Sequence, residues 1–519
     1  MVLALTGSPL TTDDFCRYYK ERGLLQRHPR FGAKLDPTNT YFVAPTTAST
    51  KPSNDKQPEH ALDENDVYKH VKEIFFPLIY RTELKALIDD AITQPLNLLE
   101  GLWQVRIATG GNIGQSGALS HSRLGERGNS YKGSVESLLM FRAHHCMADG
   151  VSLSAIFTDL VDEAPELHAQ MEYLIQQYKT SSRKKRKSLW KRLLILIHYW
   201  WWGTIRAVLY QCNLYIQMWM ASSANPWIVL ENQYYNNEKN KKGDMDRTKR
   251  TLSWCEVATV DQVKQVAKHF SNQLNSKSSM QQRITINDIF ASCVSAAIAK
   301  LVEYHRQTKP HLSLPTMSHM NLVMPVHMQG GILLPGQSLG NKIGAMVCRI
   351  PAEVEKEQTQ YHKEGESDLP SSVRSRENRL RQVHEQVTAI KQTPAAFWSY
   401  LTAKAFGSLG FGGGAPSEDG GGTVMSWLFS KAHANASAVL TNVRGPDKAV
   451  HLGGRKIETT LGFLPLPPGI PVGVVVSSYA GNVTLSVTGE PWAVPDADLF
   501  LLWVVEEYQA LLRQSLGDK

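Results

Sequence analysis

Apolar positions along this chain switch repeatedly between a period near two, which suits strands, and a period near 3.6, which suits helices. Residues 11–34 predict a helix that turns at His28-Pro29-Arg30-Phe31. Residues 45–66, rich in Thr, Ser, Pro, Asp and Asn, predict a solvated loop. Tyr68 to Phe76 predicts a strand, Thr82 to Thr93 a helix and Gln104 to Ala108 a strand. A Gly- and Ser-rich connection over 109–134 leads to a strand at Ser137 to Phe141 and a helix at Val151 to Leu160. The same alternation restarts near Leu252. Thr285 and Asp288 have capping-box spacing ahead of the apolar run Ile289 to Val302, which predicts a buried helix. Strands are predicted over 319–327, 343–350, 436–442, 472–479 and 482–488, and a last helix from Asp496 to Arg513. Residues 352–380 read as a charged surface excursion, and Gly407 to Gly422 as a linker without phosphate-binding spacing. This order predicts an α/β chain (α+β, two-layer) with two similar halves, divided as 1–179, 180–250 and 251–519.

Residues 180–227 break the pattern. A basic run leads into Leu193 to Trp202, and apolar content continues to Met220. His198, Arg206, Gln211, Asn213 and Gln217 interrupt it, so it holds no clean span of about 20 apolar residues. Basic residues beside Trp, Tyr and Leu suit a helix lying in a membrane interface. The plainer alternative is an amphipathic interdomain helix packed on protein. Three consecutive tryptophans, Trp200 to Trp202, favour membrane contact, because they are hard to bury on one soluble face.

Composition narrows the class. At 519 residues, 42% hydrophobic and 20% charged, the chain has room for two or three domains with large cores and is not a disordered polymer. The net charge of +8 invites a nucleic-acid reading. Seven of the positive charges (Arg183, Lys184, Lys185, Arg186, Lys187, Lys191 and Arg192) sit in one short run, and the remainder is close to neutral. No nucleic-acid partner is therefore expected; the run also fits a nuclear signal or plain solvated surface. The six cysteines are scattered without CxxC spacing, so neither a zinc site nor a disulfide framework is expected, and a reducing compartment fits better. Met1 to Lys20 lacks a basic n-region and a long apolar stretch, so no secretory signal is expected.

The chemistry concentrates in His144-His145-Cys146-Met147-Ala148-Asp149-Gly150, between a strand and a helix. Neighbouring side chains leave an extended chain on opposite sides, so one histidine faces a pocket, and His145 is the candidate. An imidazole there can take the proton of an alcohol that attacks a thioester and return it to the departing thiolate, with no covalent acyl-enzyme. Cys146 is read as a packing residue. Asp149 has two readings: it orients His145 as in a triad, or it turns away and pairs with an Arg to hold the loop. Gly150 is expected to permit a tight turn.

His144 to Gly150 resembles the HHxxxDG signature of CoA-dependent acyltransferases. Pro95-Leu96-Asn97-Leu98-Leu99-Glu100-Gly101-Leu102-Trp103 resembles the Pro-Leu-Asp-x-x-x-Pro-Leu-Trp motif of the bifunctional wax ester synthase/diacylglycerol acyltransferase family. Asn287-Asp288, Met324-Pro325-Val326, Leu339 to Gly344, Thr441 to Pro446, Ser478-Tyr479-Ala480-Gly481 and Val494-Pro495-Asp496 resemble further segments of that family, in order. Asn97, Gly101, Thr441 and Arg444 depart from its pattern.

The resemblance implies two acyltransferase-like domains with a substrate tunnel between them. It implies transfer of a long-chain acyl group from acyl-CoA to a fatty alcohol or diacylglycerol, with acyl-CoA as substrate and neither cofactor nor metal. It carries His145 as base, with His144, Asp149 and Gly150 completing the motif. Asn287, Asp288, Asn442 and Ser478 become supporting residues, and Pro95, Leu96 and Trp103 line the acyl pocket. Oily substrates and the 180–227 segment together imply an endoplasmic-reticulum or lipid-droplet surface, with the catalytic domains facing the cytosol. The alternatives are another CoA-dependent alcohol acyltransferase, or a lipid-binding protein that kept the fold without the chemistry. His144 and Asp149 also satisfy a glycerol-phosphate acyltransferase His-x4-Asp pattern, but the basic motifs that accompany it are missing. A condensation domain would be expected beside a carrier-protein segment, and none is present.

Overall fold

A computed structural model of the chain describes residues 1–35, 42–43, 66–76, 80–110, 135–145, 147–184, 196–220, 225–239, 249–276, 282–328, 340–352, 371–408, 436–467 and 469–517. The predicted loop over 45–65, most of the 109–134 connection, Cys146, the basic residues Lys185 to Arg192 and the Gly-rich stretch from 409 to 422 lie outside the described residues.

The first half runs β1 (Val2–Thr6), α1 (Thr12–Glu21), α2 (Leu24–Arg27), β2 (Lys34–Leu35), β3 (Phe42–Val43), α3 (Val67–His70), β4 (Val71–Phe75), α4 (Arg81–Thr93), β5 (Trp103–Thr109), β6 (Ser137–Ala143), α5 (Gly150–Leu160) and α6 (Ala164–Lys184). Next come α7 (Gly203–Met220), preceded by a π-helical turn at His198–Trp202, and α8 (Pro226–Lys239). The second half runs β7 (Thr251–Thr259), α9 (Val260–Ser276), α10 (Ile286–Thr308), β8 (His319–His327), β9 (Ile343–Pro351), α11 (Ser371–Lys391), α12 (Ala395–Ser408), β10 (Ala436–Arg444), β11 (His451–Leu452), β12 (Arg455–Leu461), β13 (Val472–Tyr479), β14 (Asn482–Gly489) and α13 (Ala497–Leu516). The predicted α/β class and the two halves are both present. Each half has one six-stranded sheet, ordered β11-β12-β1-β6-β5-β4 and β7-β14-β13-β10-β8-β9.

Local physics accounts for most of these elements. Thr285 and Asp288 form the expected capping box at the start of α10, which is buried along most of its length. Asp496 caps α13 through the Leu499 amide, and Gly517 ends it in the left-handed conformation. Two expectations need correction. Strand β4 begins only at Val71, because Val67–His70 forms a helical turn. The excursion expected over 352–380 is helical from Ser371. There Arg379 and Leu380 are buried, and Val383, Val387 and Ile390 extend an apolar stripe at helical spacing. The sequence reading placed no element at β1, at β2–β3, at β11–β12, or along α6, α8, α9 and α12.

The last pair ties the halves together. β10 and β13 belong to the second sheet, but the chain between them leaves it. β12 pairs antiparallel with β1 at the centre of the first sheet, with Leu3 opposite Thr460 and Ala4 opposite Thr459. Residues 451–461 therefore complete the first half, although they lie within the 251–519 segment of the sequence division. The crossover is fastened at both ends. Arg455 donates to Asp14, Ser8 O and Pro9 O. Tyr479, on β13, donates its hydroxyl hydrogen to Ile457 O (2.8 Å) and accepts from the Val450 amide (2.9 Å). Its ring packs edge-on against Phe157 in the first core. A further apolar cluster joins Val2, Ala4, Leu84, Ile88, Leu138 and Met140 of the first half to Leu252 and Trp254 of the second.

Tyr479→Phe should destabilise the chain by about 2 kcal/mol, because it strands a buried amide and removes a donor from a buried carbonyl. Thermal unfolding of the two proteins side by side measures this, and an unchanged midpoint would mean the crossover is not held by this hydroxyl.

Candidate active site

Strand β6 ends at Ala143, opposite Trp103 on β5, and delivers the two histidines at the edge of the sheet. The His144 amide donates to Leu102 O (2.7 Å), and the Met147 amide returns to His144 O (2.9 Å), closing a turn. Met147 and Ala148 are buried beneath it. His145 is exposed on the turn and His144 is half-buried. Burial, and then the charge of His145, lower the pKa of His144 below the ordinary imidazole range, so it is neutral at neutral pH.

Asp149 turns away from His145 and holds the loop, through main-chain amides and not through an Arg. Its side chain is completely buried. As N-cap of α5, its Oδ1 accepts from the Ser152 amide (2.8 Å). Its Oδ2 accepts from the Lys342 amide (2.9 Å), across the boundary between the halves, and His327 Nε2 lies 3.5 Å away. The triad role and the expected Arg partner are both replaced by main-chain amides. Oxygens so engaged hold the loop and leave no bond from Asp149 to His145 among the described residues.

Other ties cross at the same place. Ser152 Oγ donates to Gly340 O (3.1 Å) and accepts from Gly340 N (3.3 Å). Ser154 Oγ donates to Arg444 O (3.1 Å). Gly340 sits at φ +152, and a Cβ there would lie 3.2 Å from the Arg30 guanidinium. At Gly344 a Cβ would fall 1.9 Å from Ala396 O, so the glycines of this segment are required by close approach. Gly150 is different: it is not among the positive-φ residues, which corrects its expected role as a tight turn. It opens α5 facing Val443, whose Cγ2 lies 3.4 Å from where a Cβ would stand.

The remaining candidates divide into two groups. Asn442 Nδ2 donates to Asn287 Oδ1 (2.9 Å), joining the end of β10 to the start of α10. Ser478 lies opposite Arg444 on β13, and its carbonyl accepts from Gly445 N (2.8 Å). These three residues cluster on the β10 end that meets α5. Asp288 does not join them. It is buried, caps α10 through the Thr285 amide and accepts from His384 Nδ1 (2.9 Å). Trp103, Pro95 and Leu96 are also elsewhere. The Trp103 indole is buried between Tyr19, His70 and Phe141, and its Nε1 donates to Phe31 O (2.8 Å). Pro95 and Leu96 border a polar cavity on the first sheet, not an apolar one. His327, Ser152 and Ser154 were missed. The only sequence signal for them was position: His327 follows Met324-Pro325-Val326, and the serines open the helix after the motif.

The site is thus a histidine-bearing loop tied to both α/β halves. Residues 339–512 match the WS/DGAT C-terminal domain family. No curated protein matches the chain. Two solved structures share its fold over nearly the full length. The wax ester synthase/diacylglycerol acyltransferase from Marinobacter aquaeolei VT8 is 13% identical, with TM-score 0.50, over 99% of this chain and 93% of that one. The trichothecene 15-O-acetyltransferase from Fusarium sporotrichioides is 11% identical, with TM-score 0.50, over 98% of this chain and 89% of that one. The chain thus shares the fold of these two proteins. The family match is confined to the C-terminal third of the chain, and the structural likeness extends over the whole of it.

Asp149→Asn should lose one of the two amide contacts, since an amide side chain has only one acceptor oxygen. Stability should fall by about 1–3 kcal/mol, and the Ser152 and Lys342 amides should exchange hydrogen faster. Native-state exchange mapped by mass spectrometry reads both segments; unaltered protection at Lys342 would disprove the cross-half clamp.

Proposed function

We propose that this acyltransferase moves a long-chain fatty acyl group from acyl-CoA to a fatty alcohol or diacylglycerol, with His145 as general base. The observation that carries the reading is the motif loop. His145 is presented on a turn whose shape is set by a buried carboxylate bonded to both halves, so the base is pre-positioned at their junction. In the proposed reaction His145 removes the hydroxyl proton as the alcohol oxygen bonds to the thioester carbonyl carbon. The tetrahedral intermediate collapses, the C–S bond breaks, and the imidazolium returns the proton to the thiolate, giving ester and free CoA. The sequence supplies no bound cofactor to this scheme, and none is needed for it. His144, half-buried and kept neutral, backs the loop.

Removing the base should cost about 10²- to 10⁴-fold in turnover. Purified protein given palmitoyl-CoA and either hexadecanol or diacylglycerol should form ester and free CoA in equal amounts, and His145→Ala should not. Equal activity of His145→Ala and wild type would move the base to His144 or end the general-base scheme. Lipid binding without turnover in either would favour a non-catalytic lipid carrier.

We also propose that the protein works at a membrane or lipid-droplet surface facing the cytosol. Among the described residues no helix is long and apolar enough to cross a membrane. The support is an outward apolar face. Trp201 is 68% exposed, Leu209 64% and Trp202 55%, with Ile197 and Val208 beside them. Trp200 packs edge-on against Phe397, and Phe397, Trp398 and Leu401 of α12 extend the patch. The basic run from Arg183 to Arg192 directly precedes it in sequence and suits anionic headgroups. The five described cysteines are all unpaired, which is consistent with a reducing side. Replacing Trp201, Trp202 and Leu209 together by Ser should release the protein from floated vesicles while leaving its thermal midpoint within about 1 °C, since exposed substitutions have small effects on stability. Undiminished flotation would refute this face as the anchor.

A further inference from the structure

The cavity beside Pro95 and Leu96 has a volume of about 370 Å³, within the range of small-ligand sites. Its floor is one face of the first sheet. Lys72 on β4 stands directly opposite Arg106 on β5. Arg142 on β6 stands opposite Gln104, two residues along β5 from Arg106. Three cations thus share one face of three adjacent strands. Like charges directly opposite in a sheet repel, so this arrangement is unfavourable unless something compensates it.

The protein compensates it only in part. Asp90, at the end of α4, pairs with Arg106. Among the described residues Arg142 has no carboxylate partner; it donates to the main-chain carbonyls of Ala91 (3.0 Å) and Gln94 (2.9 Å), the negative end of the α4 dipole. Lys69, at the rim, is held by Asp66 (2.6 Å) outside the cavity. Glu100 is the second carboxylate of the lining, and it is exposed. Burial, and then the charge of Arg106, push the Arg142 pKa down to about 10, with Asp90 opposing. Burial and a neighbouring like charge thus both weigh against the charge of the guanidinium.

One wall is an imidazole–indole stack. His70 stacks on Trp103, with ring centroids 4.5 Å apart, and its Nδ1 donates to Trp103 O (3.1 Å). A Cβ at Gly101 would lie 2.3 Å from His70 Cε1. The glycine at the position where the family motif has proline is what lets the His70 ring form the wall.

We propose that this cavity is an anion-binding subsite that takes a phosphate-bearing group, with Lys72, Arg106 and Arg142 as its cationic floor. A phosphate offers several acceptor oxygens to donors of this kind. It would also relieve the repulsion across β4, β5 and β6. Arg142 is two residues before His144, roughly 7 Å along the strand. The subsite thus adjoins the strand end that carries the motif loop. Two sources carry this chemistry: the nucleotide end of a CoA thioester, or the headgroup of an anionic lipid.

The test measures binding, not turnover, so it stands or falls independently of the proposed reaction. The full-length protein and Lys72→Glu are titrated with pyrophosphate, with CoA, and with phosphatidylcholine vesicles containing or lacking phosphatidate. Lys72 is exposed, so its variant should unfold at the wild-type midpoint, and Lys72→Gln provides a milder second variant. The expected result is salt-sensitive pyrophosphate binding that Lys72→Glu weakens by about tenfold or more and Lys72→Gln by less. A matching loss for CoA would assign the nucleotide as the source; a matching loss confined to phosphatidate vesicles would assign the lipid headgroup. Absence of pyrophosphate binding to the wild type, or equal binding by wild type and Lys72→Glu, would overturn the proposal.

Discussion

A carboxylate with no solvent around it needs donors, and Asp149 finds them in both halves of the molecule at once. Its two oxygens take the Ser152 amide on its own helix and the Lys342 amide from the other half. Burying an ionised carboxylate costs several kcal/mol unless its oxygens are satisfied. The shape of the histidine loop and the seating of the second half on the first are therefore one constraint. The Ser152–Gly340 pair of bonds and the Ser154–Arg444 bond reinforce it at neighbouring points. A motif Asp that makes no bond to the candidate base among the described residues can thus still set the position of the loop that carries it. The crossover β11–β12 adds a covalent version of the same tie, since the second half contributes two strands to the first sheet.

What the sequence revealed and concealed follows from the range of the interactions. The capping box at Thr285 and Asp288, the strand before the histidines and the helix after them depend on neighbours three or four residues away, and all were legible. The β1–β12 pairing joins Val2 to Leu461 and was not. Yet β12 carries a usable trace: Arg455, Ile457, Thr459 and Leu461 are buried on alternate positions, a strand period interrupted by Lys456 and Glu458. The helix α11 was hidden differently. Its stripe of Leu380, Val383, Val387 and Ile390 is regular, but the surrounding Arg and Glu residues gave it the look of solvated surface.

Within the site, motifs conveyed residue types but not directions. Asp288 and Asn287 are adjacent in sequence and diverge in space. Asn287 reaches Asn442, while Asp288 turns inward to His384 and its own helix cap. Trp103 was expected at a substrate wall, because an aromatic in a family motif suggests contact. On β5 its side chain falls on the buried face, where an indole with a satisfied N–H is worth most as packing. The alternation of a strand decides this, and a departure of one residue in the preceding loop would reverse it. Gly101 and His70 make the same point from the other side. A substitution that looked like a loss of family pattern is the space that a neighbouring ring fills.

The aromatic segment poses a balance of forces rather than a question of pattern. Along the turn at His198–Trp202 and α7, Tyr199, Gly203, Ala207 and Tyr210 recur at helical spacing and meet the second half. Tyr199 bonds Thr393 O, Tyr210 accepts from the Arg349 amide, and Gly203 lets the helix approach Pro394 closely. One helical step round, Ile197, Trp201, Ile205 and Val208 recur at the same spacing and are exposed. A helix that is apolar on both faces is stable in water only when both are covered. Protein covers one. At about 25 cal/mol per Å² of apolar surface, even partial cover of the other by acyl chains is worth several kcal/mol. Lipid on the outward face would therefore hold the enzyme where its proposed substrates dissolve and shorten their path to the histidine loop.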